Sequence, residues 1–302
     1  MNLFTDQTQQ GTRHDLAVAA CGYETRSRYV LECTDINASK KISFGYGHGE
    51  ELAFEENRKA YLGSGFNFEA VHDEAFEARI QRLVAEARIG KDSISVFLDI
   101  SCFTRLRLAQ IVEALMTTGP FVLDVFYSLA AFSRPSEVEP TNQFLCPVSG
   151  GLSGWTGDAT KAVVLVSGLG YEQMMALGII EHIDPYEVWL FFPQSPLKSY
   201  DAAVSKSNAL LLREISESNV LTYPVMDGPV LLRKLLPLVG SLRTEYRCIL
   251  MPLGPKIFAF CALLAGCAYR DVSVWRASAG KHYQPRDRLP SKHSATFRIR
   301  YE

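Results

Sequence analysis

The chain of 302 residues lacks most of the features by which a sequence declares a chemistry. It has no CxxC pair and an odd number of cysteines, seven. Cys21, Cys33, Cys102, Cys146, Cys248, Cys261 and Cys267 stand mostly among apolar neighbours, which reads as reduced, buried thiols and not as a disulfide frame or zinc site. No apolar run approaches the ~20 residues that span a bilayer. The opening segment, MNLFTDQTQQGTRHD, is polar and has no apolar signal core, so a cytoplasmic location is expected. A net charge of −2, with 47% hydrophobic and 21% charged residues, excludes a disordered, single-sign chain and fits one or two globular domains. His14, His48, His72, His182, His282 and His293 are scattered without ligand spacing, so no metal is expected. There is no GxSxG elbow, Walker loop, GxGxxG or HExxH; Ser167-Gly168-Leu169-Gly170 falls short of a dinucleotide fingerprint. Trp155, Trp189 and Trp275 show no spacing for a base-stacking platform.

What the sequence does contain is a repeat. An apolar run, Asp15 to Cys21, leads into Gly22-Tyr23-Glu24; a second, Ala162 to Ser167, leads through Gly168-Leu169 into Gly170-Tyr171-Glu172. Asn57 and Asn208 fall at matching places in helical stretches. Ser95 to Leu98 runs into Asp99-Ile-Ser101 and Arg105, and Cys248 to Met251 runs into Pro252-Leu-Gly-Pro-Lys256. Each half alternates short apolar strands with helices. The first half predicts strands near 15–21, 41–45, 66–71, 93–99 and 121–127; the second near 162–167, 187–192, 220–225, 246–251 and 271–276. In the helix over 73–89, Phe76, Ile80, Leu83 and Val84 form one stripe. The expected class is α/β, with two tandem Rossmann-like domains, parallel sheets and an internal duplication. The expected division is a first domain over 1–130, a linker rich in Pro, Gly and Ser over 131–160, and a second domain over 161–302 with a basic tail. Between Arg270 and Arg300 eight Lys or Arg face two acids, and Thr296 to Tyr301 alternates as an edge strand would.

In such sheets ligands bind beyond the carboxyl ends of the strands, where strand order reverses. That rule places Gly22, Tyr23, Glu24, Arg26, Asp99, Ser101 and Arg105 around one crevice, and Tyr171, Glu172, Asn208 and Lys256 around another. Helix N-termini and the cations Arg26, Arg28, Arg105 and Lys256 suit an anionic, phosphorylated ligand. Plainer roles stand beside these. Glu24 and Glu172 fit helix caps, and Asp99 and Ser101 fit caps of the helix over 103–117. Arg105 and Lys256 are expected one turn inside their helices, where a cation opposes the dipole and calls for a partner. The basic tail could contact nucleic acid through phosphates, although a solvated charged surface is the favoured account.

Two Rossmann-like units, with Gly-Tyr-Glu after strand one and Arg105 or Lys256 after strand four, resemble the CARF and SAVED sensor domains of bacterial antiviral systems. The resemblance implies binding of a cyclic or linear oligonucleotide messenger. Because no nuclease or protease module is visible, it also implies a protein partner or breakdown of the messenger by this chain. Three functions therefore stand as expectations. The first is an intracellular binding protein or sensor for a nucleotide-type ligand, without a membrane role. The second is an enzyme acting on a nucleotide or N-glycosidic bond, with Glu24, Asp99 or Ser101 as its catalytic candidates. The third is a structural subunit of a larger complex. No cofactor can be named.

Overall fold

The structure is a computed structural model that describes residues 3–6, 8, 11–134, 144–172, 174–278 and 285–302. Its first part runs β1 (Leu3–Asp6), β2 (His14–Ala20), a 3-10 turn (Thr25–Arg28), α1 (Tyr29–Cys33), β3 (Ala38–Gly45), α2 (Phe54–Gly63), β4 (Asn67–Ala70), α3 (Asp73–Arg88), β5 (Ile94–Asp99), α4 (Arg105–Thr118) and β6 (Phe121–Ala130). Its second part runs β7 (Phe144–Pro147), β8 (Val163–Gly168), α5 (Met175–Ile183), β9 (Glu187–Gln194), α6 (Lys198–Ser207), α7 (Ala209–Glu214), β10 (Val220–Pro224), α8 (Gly228–Glu245), β11 (Arg247–Pro252), α9 (Lys256–Ala268) and β12 (Ser273–Ser278). A long strand, β13 (Pro290–Tyr301), follows.

The strands form two sheets, ordered β1-β13-β6-β5-β2-β3-β4 and β10-β9-β8-β11-β12-β7. Counted from β2 and from β8, each contains five parallel strands in the order 3-2-1-4-5. Each carries an antiparallel strand beside the fifth: β13 on β6, and β7 on β12. The same connection scheme thus occurs twice, as two tandem Rossmann-like units require. The apolar runs read as strands are buried almost throughout, from Leu16 to Cys21 and from Val164 to Val166. The α3 stripe buries Phe76, Ile80, Leu83 and Val84 and lies against α4.

By contacts the chain divides into two compact units. One takes the chain up to Ala131 together with β13; the other runs from Phe132 through β12. Three features depart from the sequence reading. Of the expected linker, 135–143 lies outside the described residues, but the stretch after it is built into the second sheet. There β7 pairs with β12, and the fully buried Leu152 accepts the Val274 N–H at 2.9 Å. Backbone pairing there needs no side-chain periodicity, so the sequence showed none. The tail strand belongs to the first sheet, not to the second half, and it is no edge, because β1 covers it. Its Arg298 is buried and donates twice to Asp124 on β6, at 2.6 and 2.7 Å. That cation is an internal partner and not a solvated or nucleic-acid-facing charge. The helical stretch expected around Asn208 is two helices, α6 and α7, parted at that residue.

Candidate functional site

In the first unit the strand order reverses between β2 and β5. The loop after β2 is fixed by side chains from further along the chain. Ser27 Oγ donates to the Ala20 carbonyl at 2.6 Å and accepts the Gly22 N–H at 3.2 Å. Asn57 of α2 donates to the carbonyls of Gly22 and Glu24, both at 2.8 Å, and accepts from Arg28 at 3.0 Å. Tyr61, one turn later, donates to the Ser27 carbonyl at 2.6 Å. Ser27, Asn57 and Tyr61 have no exposed surface, so this loop is held as firmly as core.

The loop after β5 is equally fixed. Ser101 gives its N–H (2.9 Å) and its hydroxyl (2.5 Å) to Oδ1 of Asp99, and its Oγ accepts the N–H of Ser128, at the end of β6, at 2.8 Å. Asp99 is 1% exposed. Burial pushes its carboxyl up to about 6, against the opposing pull of the Ser101 hydrogen bonds and the Arg26 charge. Arg26 ties the loop after β2 to β6. Its Nε donates to Glu24 at 2.5 Å and its Nη1 to the Ser128 carbonyl at 3.1 Å. Burial works against the guanidinium charge, but Glu24 more than offsets it, and the Arg26 pKa lies above its ordinary value. Cys102 donates its thiol to the same Glu24 oxygen at 3.7 Å. Gly22 is buried, yet a Cβ built on it meets no atom within 4 Å, so open space lies beside it.

Of the residues expected around the first crevice, Glu24, Arg26, Asp99 and Ser101 lie in one network with Ser128, and their roles differ from simple caps. Glu24 makes no capping hydrogen bond and instead holds Arg26 and Cys102. Thr104, not Asp99 or Ser101, caps α4 by accepting from Arg107 N. Arg105 and Lys256 are the first residues of α4 and α9, not a turn inside them. Tyr23 is half-buried, and its carbonyl accepts the Ala53 N–H at 3.1 Å.

The second unit repeats the frame and closes the crevice. Asn208 donates to the Gly170 carbonyl at 2.8 Å, as Asn57 does to that of Gly22. The loops after β8 and β11, however, meet backbone to backbone. A Cβ on Gly254, which has φ +72°, would lie 2.2 Å from the Leu169 carbonyl oxygen and 3.2 Å from the Gly170 Cα. Tyr171 packs edge-on against Tyr200, with ring centres 5.4 Å apart. Glu172 lies ahead of the start of α5, whose N-cap is Met174, so it does not cap that helix. Among the residues expected here, Asn208 holds the loop and Tyr171 packs in the core; no open floor separates Gly170 from Gly254.

Sequence reasoning missed Arg107, which is fully buried between the rings of Tyr46 and Phe76, 3.9 and 4.5 Å from their centres. It donates to Asp73, to the Gly45 carbonyl and to the Val71 carbonyl, tying α4 to the ends of β3 and β4. An arginine inside an apolar helix was the signal. A second cluster lies at the opposite strand ends: His14 Nδ1 is 3.0 Å from Ser95 Oγ, and its Nε2 is 3.6 Å from Asp124. A surface pocket of about 420 Å³ beside Cys33, Lys41 and Ser64 lies away from the crevice. Cys33 itself is exposed, and Cys102 and Cys146 are half-buried, contrary to a uniformly buried set; Cys21, Cys248, Cys261 and Cys267 are buried. Among the described residues no helix is long and apolar enough to cross a membrane, and no group of three or more His, Cys, Asp or Glu could hold a metal ion. No protein-family model matches the chain, and no curated protein matches it either.

Proposed function

We propose that the first unit is a non-catalytic binding module for an anionic, nucleotide-type ligand seated over the ends of β2 and β5. The observation that carries this reading is the open floor at Gly22, against its counterpart Gly170 in the second unit, where a Cβ would meet the Glu172 carboxylate and lie 3.1 Å from the Gly254 Cα. Two rigid loops flank that floor, which limits the ordering cost of binding. Arg26 reaches from the first loop to the Ser128 carbonyl on β6, and Arg105 begins α4, at the positive end of the helix dipole. The Ser101 hydroxyl is committed to Asp99 and both groups are buried, which favours binding over nucleophilic catalysis. The likeness to CARF and SAVED sensors supports a messenger as ligand and, with it, a sensing role in antiviral defence through a protein partner.

The test uses the full chain with nucleoside monophosphates, cyclic dinucleotides and short oligonucleotides in thermal-shift and calorimetric titrations. At least one phosphorylated probe is expected to raise the melting temperature; a probe at 100 times its Kd adds about 2.7 kcal/mol. Gly22→Val, whose Cβ enters the open floor, is expected to fold normally and to lose that response. The reading falls if no probe produces a shift, or if Gly22→Val binds as well as the parent.

A further inference from the structure

The connection from β3 to α2, residues 46–53, is pinned at both ends and unsupported in its middle. At one end the Tyr46 hydroxyl donates to the Cys102 carbonyl at 2.9 Å and accepts the Thr104 N–H at 3.0 Å, both on the loop after β5. At the other end the Ala53 N–H goes to the Tyr23 carbonyl at 3.1 Å, on the loop after β2. Covalent geometry across that bond keeps the Leu52 Cα within about 12 Å of the Gly22 Cα. The Tyr23 ring also rests against Gly49, where a Cβ would lie 3.4 Å from its Cδ1. Between the anchors, nothing among the described residues hydrogen-bonds Gly47, His48, Gly49 or Glu50. Gly47, at φ +70°, is pressed by the His72 ring and ends the fixed part; Gly49, at φ +67°, leaves the chain a pivot. His48, Glu50 and Glu51 are exposed. Leu52 has φ +54° and is 54% exposed. A leucine in that region is strained, and here no burial offsets the strain; such outliers cluster at ligand clamps and switch segments.

Resting on the binding reading above, we propose that residues 48–52 are a strap that closes over a ligand held beside Gly22. In the free chain the strap stands open, with Leu52 in solvent. Closing lets Leu52 leave its left-handed conformation and lays its side chain on the apolar face of the base, which a nucleotide-type ligand supplies. Without a ligand there is nothing apolar for Leu52 to cover, so the open form holds; with one, the new contact shifts the strap toward the closed form. Gly49 supplies the pivot, and the pinned ends at Tyr46 and Ala53 keep the strap in register with both loops. A segment of this kind slows the departure of a ligand more than it speeds its arrival.

The experiment digests the full chain briefly with a glutamate-specific protease, alone and with saturating nucleoside monophosphates, cyclic dinucleotides or short oligonucleotides. Cleavage after Glu50 or Glu51 is expected first in the free chain. Any probe that raises the melting temperature is expected to slow that cleavage by about tenfold or more. Leu52→Asn separates a strap from a plain loop. Asn accepts a left-handed φ but brings no apolar surface. The variant is therefore expected to melt no lower than the parent and to bind the same probe about tenfold more weakly, with the loss in its dissociation rate. A Leu52 that only shapes the loop would leave that rate unchanged. Binding of a probe without protection at Glu50 and Glu51, or with equal dissociation rates from Leu52→Asn and the parent, overturns the strap and leaves the binding reading intact. A free chain that resists cleavage at both glutamates also overturns it, because the segment is then fixed. Absence of binding by every probe overturns both.

Discussion

A carboxyl group that is 1% exposed, as in Asp99, titrates against its surroundings. Burial pushes it up to about 6 from the ordinary 3.8, so the folded chain holds this proton to a higher pH than the unfolded chain does. Between those values the folded form is protonated and the unfolded form is not, and stability falls as pH rises through that window. Above it the ionised carboxylate costs on the order of 2–3 kcal/mol. Asn keeps an acceptor for Ser101 and carries no charge. Asp99→Asn is therefore expected to be about 2 kcal/mol more stable than the parent at pH 7.5 and nearly equal to it at pH 4. His14 works in the opposite sense: burial lowers its pKa, so its share of stability is lost as pH falls below 6.5. Taking the difference between variant and parent in urea melts cancels that slope. A variant less stable than the parent at pH 7.5 would mean that the Asp99 charge is compensated better than its burial indicates.

Among the elements, α4 depends on Arg107 for its place. The guanidinium answers the carbonyls of Gly45 and Val71, which end one strand and follow another, and pairs with Asp73 at the start of α3 at 2.7 Å. Arg107→Met keeps the apolar stem but strands those carbonyls. A loss of about 3 kcal/mol is expected in denaturant unfolding; a loss under 1 kcal/mol would show that water replaces the guanidinium. Nothing in the sequence assigned this residue a role, because its partners lie 34 to 62 positions away. The same limit explains the rest of what was not legible. The inner parallel strands were readable as short apolar runs, since each is covered on both faces, whereas β4 and β10 stand at sheet edges and are half-exposed. β1 and β7 were not, being four residues long and half-exposed. Asn57 and Asn208 were visible as poor helix formers at matching places, but the glycine carbonyls they hold were not. Convergence of Glu24, Arg26, Asp99 and Ser101 followed from topology, whereas closure of the second crevice depends on one backbone approach, Gly254 against Leu169, which leaves no mark in composition.

At the scale of the whole molecule, the repeat of strand order coexists with a chain that does not divide at its midpoint. The second unit completes its sheet with β7, which precedes its first parallel strand; the first completes its own with β13, drawn from the far end of the described chain. What fixes that choice is charge as much as apolar burial. Arg298 and Asp124 are each about 4% exposed, 174 positions apart, and bonded through two hydrogen bonds. Removing one member of such a pair leaves the other buried and uncompensated, at about 3–5 kcal/mol. Arg298→Ala is accordingly expected to reduce amide protection in β2, β5 and β6, whose ladder includes Asp124, while β8, β9 and β11 keep theirs. Hydrogen exchange read by peptide distinguishes this outcome from its rival. Protection lost first from β11 and β12 would place the tail with the second sheet, as a division of the sequence into halves suggests, and would contradict the β13–β6 pairing.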